Sequence, residues 1–281
     1  MRVNFIGRTT LLVVASALFV STVVPRMAIA GRIVVTNDEW TTTNTGFSET
    51  PAGSRQLALN VAQWFSGSPN SGNFLVYSTN FSLDTAQATS LKATLTGAGY
   101  SWTSYTSIPG FAFDLPTLLG FDGVFMALSP PANNSVLIDY VNAGGNVYVS
   151  AGTGVGGPAS EAAAWNSFLM SFGLQFDGSG YNGIGAAGIG SVVPIQNPFG
   201  HPVLNGVSSL YQNSGNSISY FGSNPEAKII ESLGNQGLYA VYDGVTANPE
   251  PGTLALLGGG LVGFLCLARR RNCSTVVAHR R

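Results

Sequence analysis

The stretch GVFMALSPPANNSVLIDYVNAGGNVYVS, residues 123–150, decides the fold. It opens on an apolar run, Gly123 to Leu128, too uniform to leave one face in water, which predicts a strand buried on both sides. Asn133 or Asn134 then supplies the N-cap of a helix whose Val136, Leu137, Tyr140 and Val141 share one face, and Gly144-Gly145 ends it. Asn146 to Ser150 is the next strand. A buried strand, a one-sided helix and a second buried strand form the unit from which parallel sheets are assembled.

The same alternation extends in both directions. Upstream, Arg32 to Thr36 is a β-branched strand, and from Ser54 the residues Leu57, Val61, Trp64 and Phe65 recur at helical spacing until Gly67. Phe74 to Tyr77 predicts a strand, Phe81 to Thr96 a helix with Ala88, Leu91 and Leu95 on one face, and Ser101 to Tyr105 a third, weaker strand. Downstream, Ser160 is expected to cap a helix carrying Trp165, Phe168, Leu169 and Phe172 at i, i+3, i+4 and i+7, ended by Gly173. The predicted class is therefore a doubly wound α/β domain with a mostly parallel sheet. After Gly173 come a glycine-rich loop, Asp177 to Ser191, a stretch around His201-Pro202, and strands at Ile218–Phe221, Ala227–Glu231 and Leu238–Tyr242, read as an antiparallel extension on one sheet edge.

The two ends of the chain have a different character. Arg2 and Arg8 precede the apolar run Leu11 to Val24, and Ala28-Ile29-Ala30 is a small-x-small site, so residues 1–30 predict a signal peptide with the mature chain starting at Gly31. At the other end Pro249-Glu250-Pro251 precedes an apolar stretch and then Arg269-Arg270-Arg271. As a helix, residues 253–268 would reach about 24 Å, slightly short of the hydrocarbon core but workable with thinning or snorkelling. The arginines place the tail 273–281 in the cytoplasm and all that precedes the span outside the inner membrane, facing the periplasm.

Charge separates these ends from the middle. Between Gly31 and Asn248 there are four basic residues (Arg32, Arg55, Lys92, Lys228) against twelve acidic ones, a formal charge of −8. Such a domain lacks the basic face that nucleic acid demands, and no nucleic-acid partner is expected. Both cysteines, Cys266 and Cys273, lie in or after the apolar tail, so residues 31–247 must fold on their core alone. With His201 the only histidine there, a zinc site is excluded, and no metal or cofactor is expected.

Pro249-Glu250-Pro251, the short apolar helix and the basic cluster together resemble the PEP-CTERM sorting signal of Gram-negative bacteria, over residues 248–272. The same module is also called an ice-binding protein C-terminal motif, a label that carries no evidence of ice binding. The resemblance implies cutting by an exosortase after passage through the secretion machinery, and then a place at the cell surface or in an exopolysaccharide matrix. The tail 273–281 is longer than such signals commonly carry.

The middle of the chain resembles the class I glutamine amidotransferase-like superfamily. The carrying residues are Phe121-Asp122-Gly123-Val124, Leu137 to Gly145, Trp165-Asn166 through Phe172-Gly173-Leu174, and His201-Pro202 with Gly206-Val207. Active members carry a cysteine on the turn after the strand that corresponds to residues 146–150. Here that turn reads Ser150-Ala151-Gly152-Thr153-Gly154, so the thiolate chemistry of an amidotransferase is absent and a non-catalytic domain is expected. A re-purposed hydrolase using Ser150 or Thr153 with His201 is the alternative.

The glycine run 152–157 lacks the Lys-Ser/Thr of a phosphate loop and predicts a flexible loop. Asp38, Glu39 and Trp40, just after the first strand, form the candidate ligand site together with Ser150 and Thr153. Carboxylates beside an indole suit a sugar, such as exopolysaccharide, and a surface protein is the other partner considered.

Overall fold

The computed structural model describes residues 30–80, 83–127, 132–183 and 190–244. Residues 1–29 of the expected signal peptide, the sorting segment 248–272 with its expected helix 253–268, and the tail 273–281 lie outside these. Among the described residues no helix is long and apolar enough to cross a membrane.

In chain order the elements are β1 (Arg32–Thr36), α1 (Asn44–Glu49), α2 (Pro51–Ser66), β2 (Asn73–Tyr77), α3 (Thr89–Gly97), β3 (Ser101–Ser104), α4 (Leu115–Leu118), β4 (Gly123–Met126), α5 (Asn134–Asn142), β5 (Val147–Ser150) and α6 (Pro158–Leu169). Then follow β6 (Leu174–Phe176), β7 (Asn182–Gly183), β8 (Ser191–Pro194), β9 (Ser209–Gln212), β10 (Ser214–Gly215), β11 (Ile218–Tyr220), β12 (Ala227–Leu233) and β13 (Gln236–Asp243).

The first five strands are parallel in the order β3-β2-β4-β5-β1. From β1 the chain moves outward to β2 and β3 through α2 and α3, then returns to β4 and β5 through α4 and α5. Right-handed crossovers in opposite directions must run over opposite faces. The inner strands β1, β2, β4 and β5 are consequently buried twice, whereas β3, at the edge of the sheet, buries only Trp102. On β1, Val34 joins the core of α2 and α3 (Leu57, Val61, Phe65, Leu91, Leu95), while Ile33 and Val35 join that of α5 and α6 (Leu137, Tyr140, Trp165, Phe168). This double burial is why the strands read as uniform apolar runs.

The antiparallel extension is present and larger than expected. β13 lies between β1 and β12, pairing antiparallel with both, and β11 links it to β6. Separately, β8 and β9 pair as a ribbon whose Val193 and Leu210 join the α2 core.

Local chemistry explains where elements begin and end. Asn133 caps α5 by accepting the amide of Ser135 at 3.1 Å. Beyond the helix Gly144 has φ +99°, and a Cβ on Gly145 would lie 2.1 Å from the Tyr140 ring, so both glycines are required. Two boundaries differ from expectation. The helix predicted from Phe81 begins at Thr89, because Thr85 caps a separate 3-10 turn, Ala86–Ala88. Helix α6 starts at Pro158 with Gly157 as N-cap, so Ser160 sits within its first turn; proline at N1 forfeits no intrahelical bond.

Candidate functional site

Ligands of open α/β sheets gather at the carboxyl ends of strands, where neighbours send the chain to opposite faces. β1 and β5 are such a pair, since β1 leads towards α2 and β5 into α6. The crevice between them holds Asn37, Asp38 and Glu39 from one side and Gly152 and Thr153 from the other.

The protein's own chain fills this crevice. Asp38 is fully buried and caps the 3-10 turn Glu39–Thr42, accepting the amide of Trp40 at 3.0 Å, and its second oxygen accepts the amide of Asn213. Glu39 is also buried. The segment from Asn213 to Ser217 crosses so close that a Cβ on Gly215 would sit 1.6 Å from the carbonyl oxygen of Asn37. Of Asp38, Glu39 and Trp40 only the indole remains partly exposed, with its ring 6.3 Å from that of Tyr211. The two carboxylates therefore do not line an open face beside the indole.

The glycine run is tied down at its start. Glu161, on the first turn of α6 and fully buried, accepts the amides of Gly152 at 2.8 Å and Thr153 at 3.3 Å. It also accepts the Thr153 hydroxyl at 2.9 Å and the hydroxyl of Tyr181. Amides that could cradle an external anion are thus already turned towards an internal carboxylate. The expectation of a flexible loop holds no account of this anchor, which the sequence hid because Glu161 lies eight residues beyond Thr153.

Burial dominates the electrostatics. It pushes the Asp38 carboxyl up to about 7, against the pull of the hydrogen bonds from Asn213 and Trp40, and the Glu161 charge adds to the rise. Burial, and then the bond to Glu161, raises Tyr181 above the usual phenol range.

Ser150 and Thr153 are not brought near His201. Ser150 pairs in register with Thr36 at the carboxyl end of β1, and its Oγ is buried without a hydrogen-bond partner. His201 packs its ring 5.1 Å from Trp64, over which Arg32, the first residue of β1, also lies. Four residues of strand, about 13 Å, separate these levels. The Nδ1 of His201 accepts the amide of Val203 at 3.2 Å, and burial holds the imidazole below its ordinary pKa. Its local task is to cap the turn Pro202–Leu204.

The opposite end of the parallel strands, their amino end, gathers the two ends of the domain. The amide of Gly31 donates to Val141 at 2.6 Å, that of Gly244 donates to Gly31 at 3.2 Å, and Arg32 pairs with Asp243 at 3.0 Å. The segments that precede Gly31 and follow Gly244 consequently leave the fold side by side.

Two groupings escaped the sequence reading. Tyr77, Tyr105, Phe111 and Phe113 pack together, with Tyr77 and Phe113 centroids 4.3 Å apart. A polar cleft of about 600 Å³ opens beside β6 and β11. Among the described residues no group of three or more His, Cys, Asp or Glu could hold a metal ion.

A family model described as the PEP-CTERM protein-sorting motif matches residues 249–271, a span that includes Pro249-Glu250-Pro251 and Arg269-Arg270-Arg271. No curated protein and no solved structure matches the chain. The motif makes this an exported protein, targeted to an exosortase, processed at the membrane and destined for the cell surface.

Proposed function

From that destination we propose that residues 31–247 form a non-catalytic, amidotransferase-like binding domain, exported by the signal peptide 1–30 and held at the inner membrane by the helix 253–268 until exosortase cuts near Pro249-Glu250-Pro251. Its ligand is a carbohydrate of the surrounding matrix or another surface protein. The single observation that carries the non-catalytic reading is the state of the turn after β5. Ser150 Oγ is sealed from solvent, and Thr153 Oγ1 is bound to a carboxylate that already accepts three other hydrogen bonds. A hydroxyl nucleophile needs an accessible position and a free base, and His201 lies at the other level of the sheet.

The arrangement of the ends supports the anchoring part of the reading. Gly31 and Gly244 are neighbours. From Gly244 the sorting motif begins five residues later, a reach of at most about 18 Å. The domain then stands with the amino ends of its parallel strands towards the bilayer and their carboxyl ends away from it.

The test is a hydrolase screen on the full-length chain with ester, amide and glycoside substrates. The reading expects no turnover beyond that of the Ser150→Ala, Thr153→Ala, His201→Ala triple variant. Turnover that disappears in the triple variant would overturn it.

A further inference from the structure

The polar cleft beside β6 and β11 has a volume within the range of roughly 300–1,000 Å³ usual for small-ligand sites. Its walls carry Gln175, Asp177, Asn182, Ser217, Ser219 and Gln236. Phe176 and Ile218, both almost wholly buried, close the floor.

The direction of the hydrogen bonds in these walls selects the ligand. Gln175 Nε2 donates to Ser219 Oγ at 3.2 Å, and Asn182 Nδ2 donates to Ser217 Oγ. Each carboxamide therefore commits one amide hydrogen to the protein and leaves its carbonyl oxygen and a second N–H, while each serine, accepting there, keeps its own hydroxyl hydrogen to donate. Gln236 lines the cleft as well, but its Oε1 is turned inward and sealed from solvent. Asp177 holds the amide and hydroxyl of Ser179 at 2.9 Å each and has acceptor capacity left over. The cleft thus offers neutral donors and acceptors beside one carboxylate, and no lysine or arginine.

Such a surface repels phosphate, sulfate and carboxylate groups, and an apolar ligand would strand its carbonyl oxygens without partners. What satisfies it is a neutral molecule dense in hydroxyl groups, each of which both donates and accepts. Position agrees with this chemistry. Gln236 opens β13 and Asp243 closes it beside Gly31 and Gly244, so the strand's length, about 24 Å, separates the cleft from the two exits of the chain. On a domain tethered at those exits the cleft faces away from the membrane.

We propose that this cleft binds a neutral carbohydrate through the carboxamides of Gln175 and Asn182 and the carboxylate of Asp177. The assignment rests on the non-catalytic binding reading above and names its ligand class and site, in place of the Asp38, Glu39 and Trp40 position.

The experiment is a titration of the full-length chain, kept in a zwitterionic detergent without a sugar headgroup, with maltohexaose, cellohexaose, dextran and the polyanion alginate. Saturable binding of at least one neutral glycan is expected, weakened tenfold or more by Gln175→Ala with Asn182→Ala and unchanged by Trp40→Ala. Asn235→Trp, at an exposed position in the cleft wall, provides a second variant that should block binding without disturbing the core. Equal affinity per site for hexasaccharide and polymer assigns a short sugar segment, whereas binding of dextran alone assigns the polymer. Absence of neutral glycan binding, binding of alginate alone, or binding lost in Trp40→Ala and kept in the cleft variants would overturn the assignment. Its failure would leave the hydrolase screen unaffected, so the two readings fall separately.

Discussion

The two ends of the parallel sheet are closed in different ways. At the amino end, backbone meets backbone: a Cβ on Gly31 would lie 1.7 Å from the carbonyl of Gly145, and one on Gly244 2.3 Å from that of Ala30. At the carboxyl end, buried carboxylates hold the loops, with Asp38 gripping Asn213 and Glu161 gripping Gly152 and Thr153. The first arrangement lets both chain termini leave the domain together. The second spends the position where ligands usually bind on internal contacts, and a ligand must be met elsewhere.

Substitutions can break each closure separately. The largest effect is expected for Gly215→Val, because the obstructing atom is the Asn37 carbonyl and cannot move without lifting the segment around Gly215 from β1. A loss of more than about 3 kcal/mol in urea unfolding is predicted. Glu161→Ala comes next. It strands two amides and leaves the Tyr181 hydroxyl without its acceptor, at a cost on the order of 2–3 kcal/mol, with faster proteolysis in the glycine run as the local readout.

Asp38 sharpens the comparison through pH. Its folded pKa of about 7 stands above the ordinary 3.8, so between these values the unfolded chain releases a proton that the folded chain keeps. Stability from this group is complete below pH 4, falls as pH rises, and is lost above pH 7. Glu161, Tyr148 and Tyr239 are the titratable groups that face it, and burial keeps both tyrosines neutral across that window. Asp38→Asn should flatten the decline in unfolding free energy, read from urea titrations between pH 4 and 8, by an amount on the order of 4 kcal/mol across the window. The smallest effect belongs to the amino end. Arg32→Ala removes an ion pair whose partners are both more than a third exposed, together with a hydrogen bond to the Trp64 carbonyl and the contact over the Trp64 ring, and a change of about 1–2 kcal/mol in thermal unfolding is expected.

The parallel sheet was legible because its strands are buried on both faces and its helices on one. Val147 to Ser150 and Trp165 with Phe168 carry those two periods in plain view. The glycines at 144 and 145 marked the end of α5 for a reason the structure supplies, a positive φ and the Tyr140 ring. The site was less legible. Asp38 and Glu39 follow β1 and look like solvent-facing acids, but the cover comes from Asn213 to Ser217, more than 170 residues later. No local pattern encodes that crossing. The ribbon of β8 and β9 and the cleft likewise depend on short strands in a Gly- and Asn-rich segment without a clear period. Gln175 and Gln236 come together only through the pairing of β6, β11 and β13, and Asn182 reaches them through the separate pairing of β7 with β10.

Export and processing underlie the whole account, and intact-mass analysis of the chain recovered from a cell that carries an exosortase tests them directly. The account predicts a surface product that begins at Gly31 and ends near Pro249-Glu250-Pro251, with the segment 253–281 removed. Recovery of the unprocessed 281-residue chain from the cytosol would contradict it.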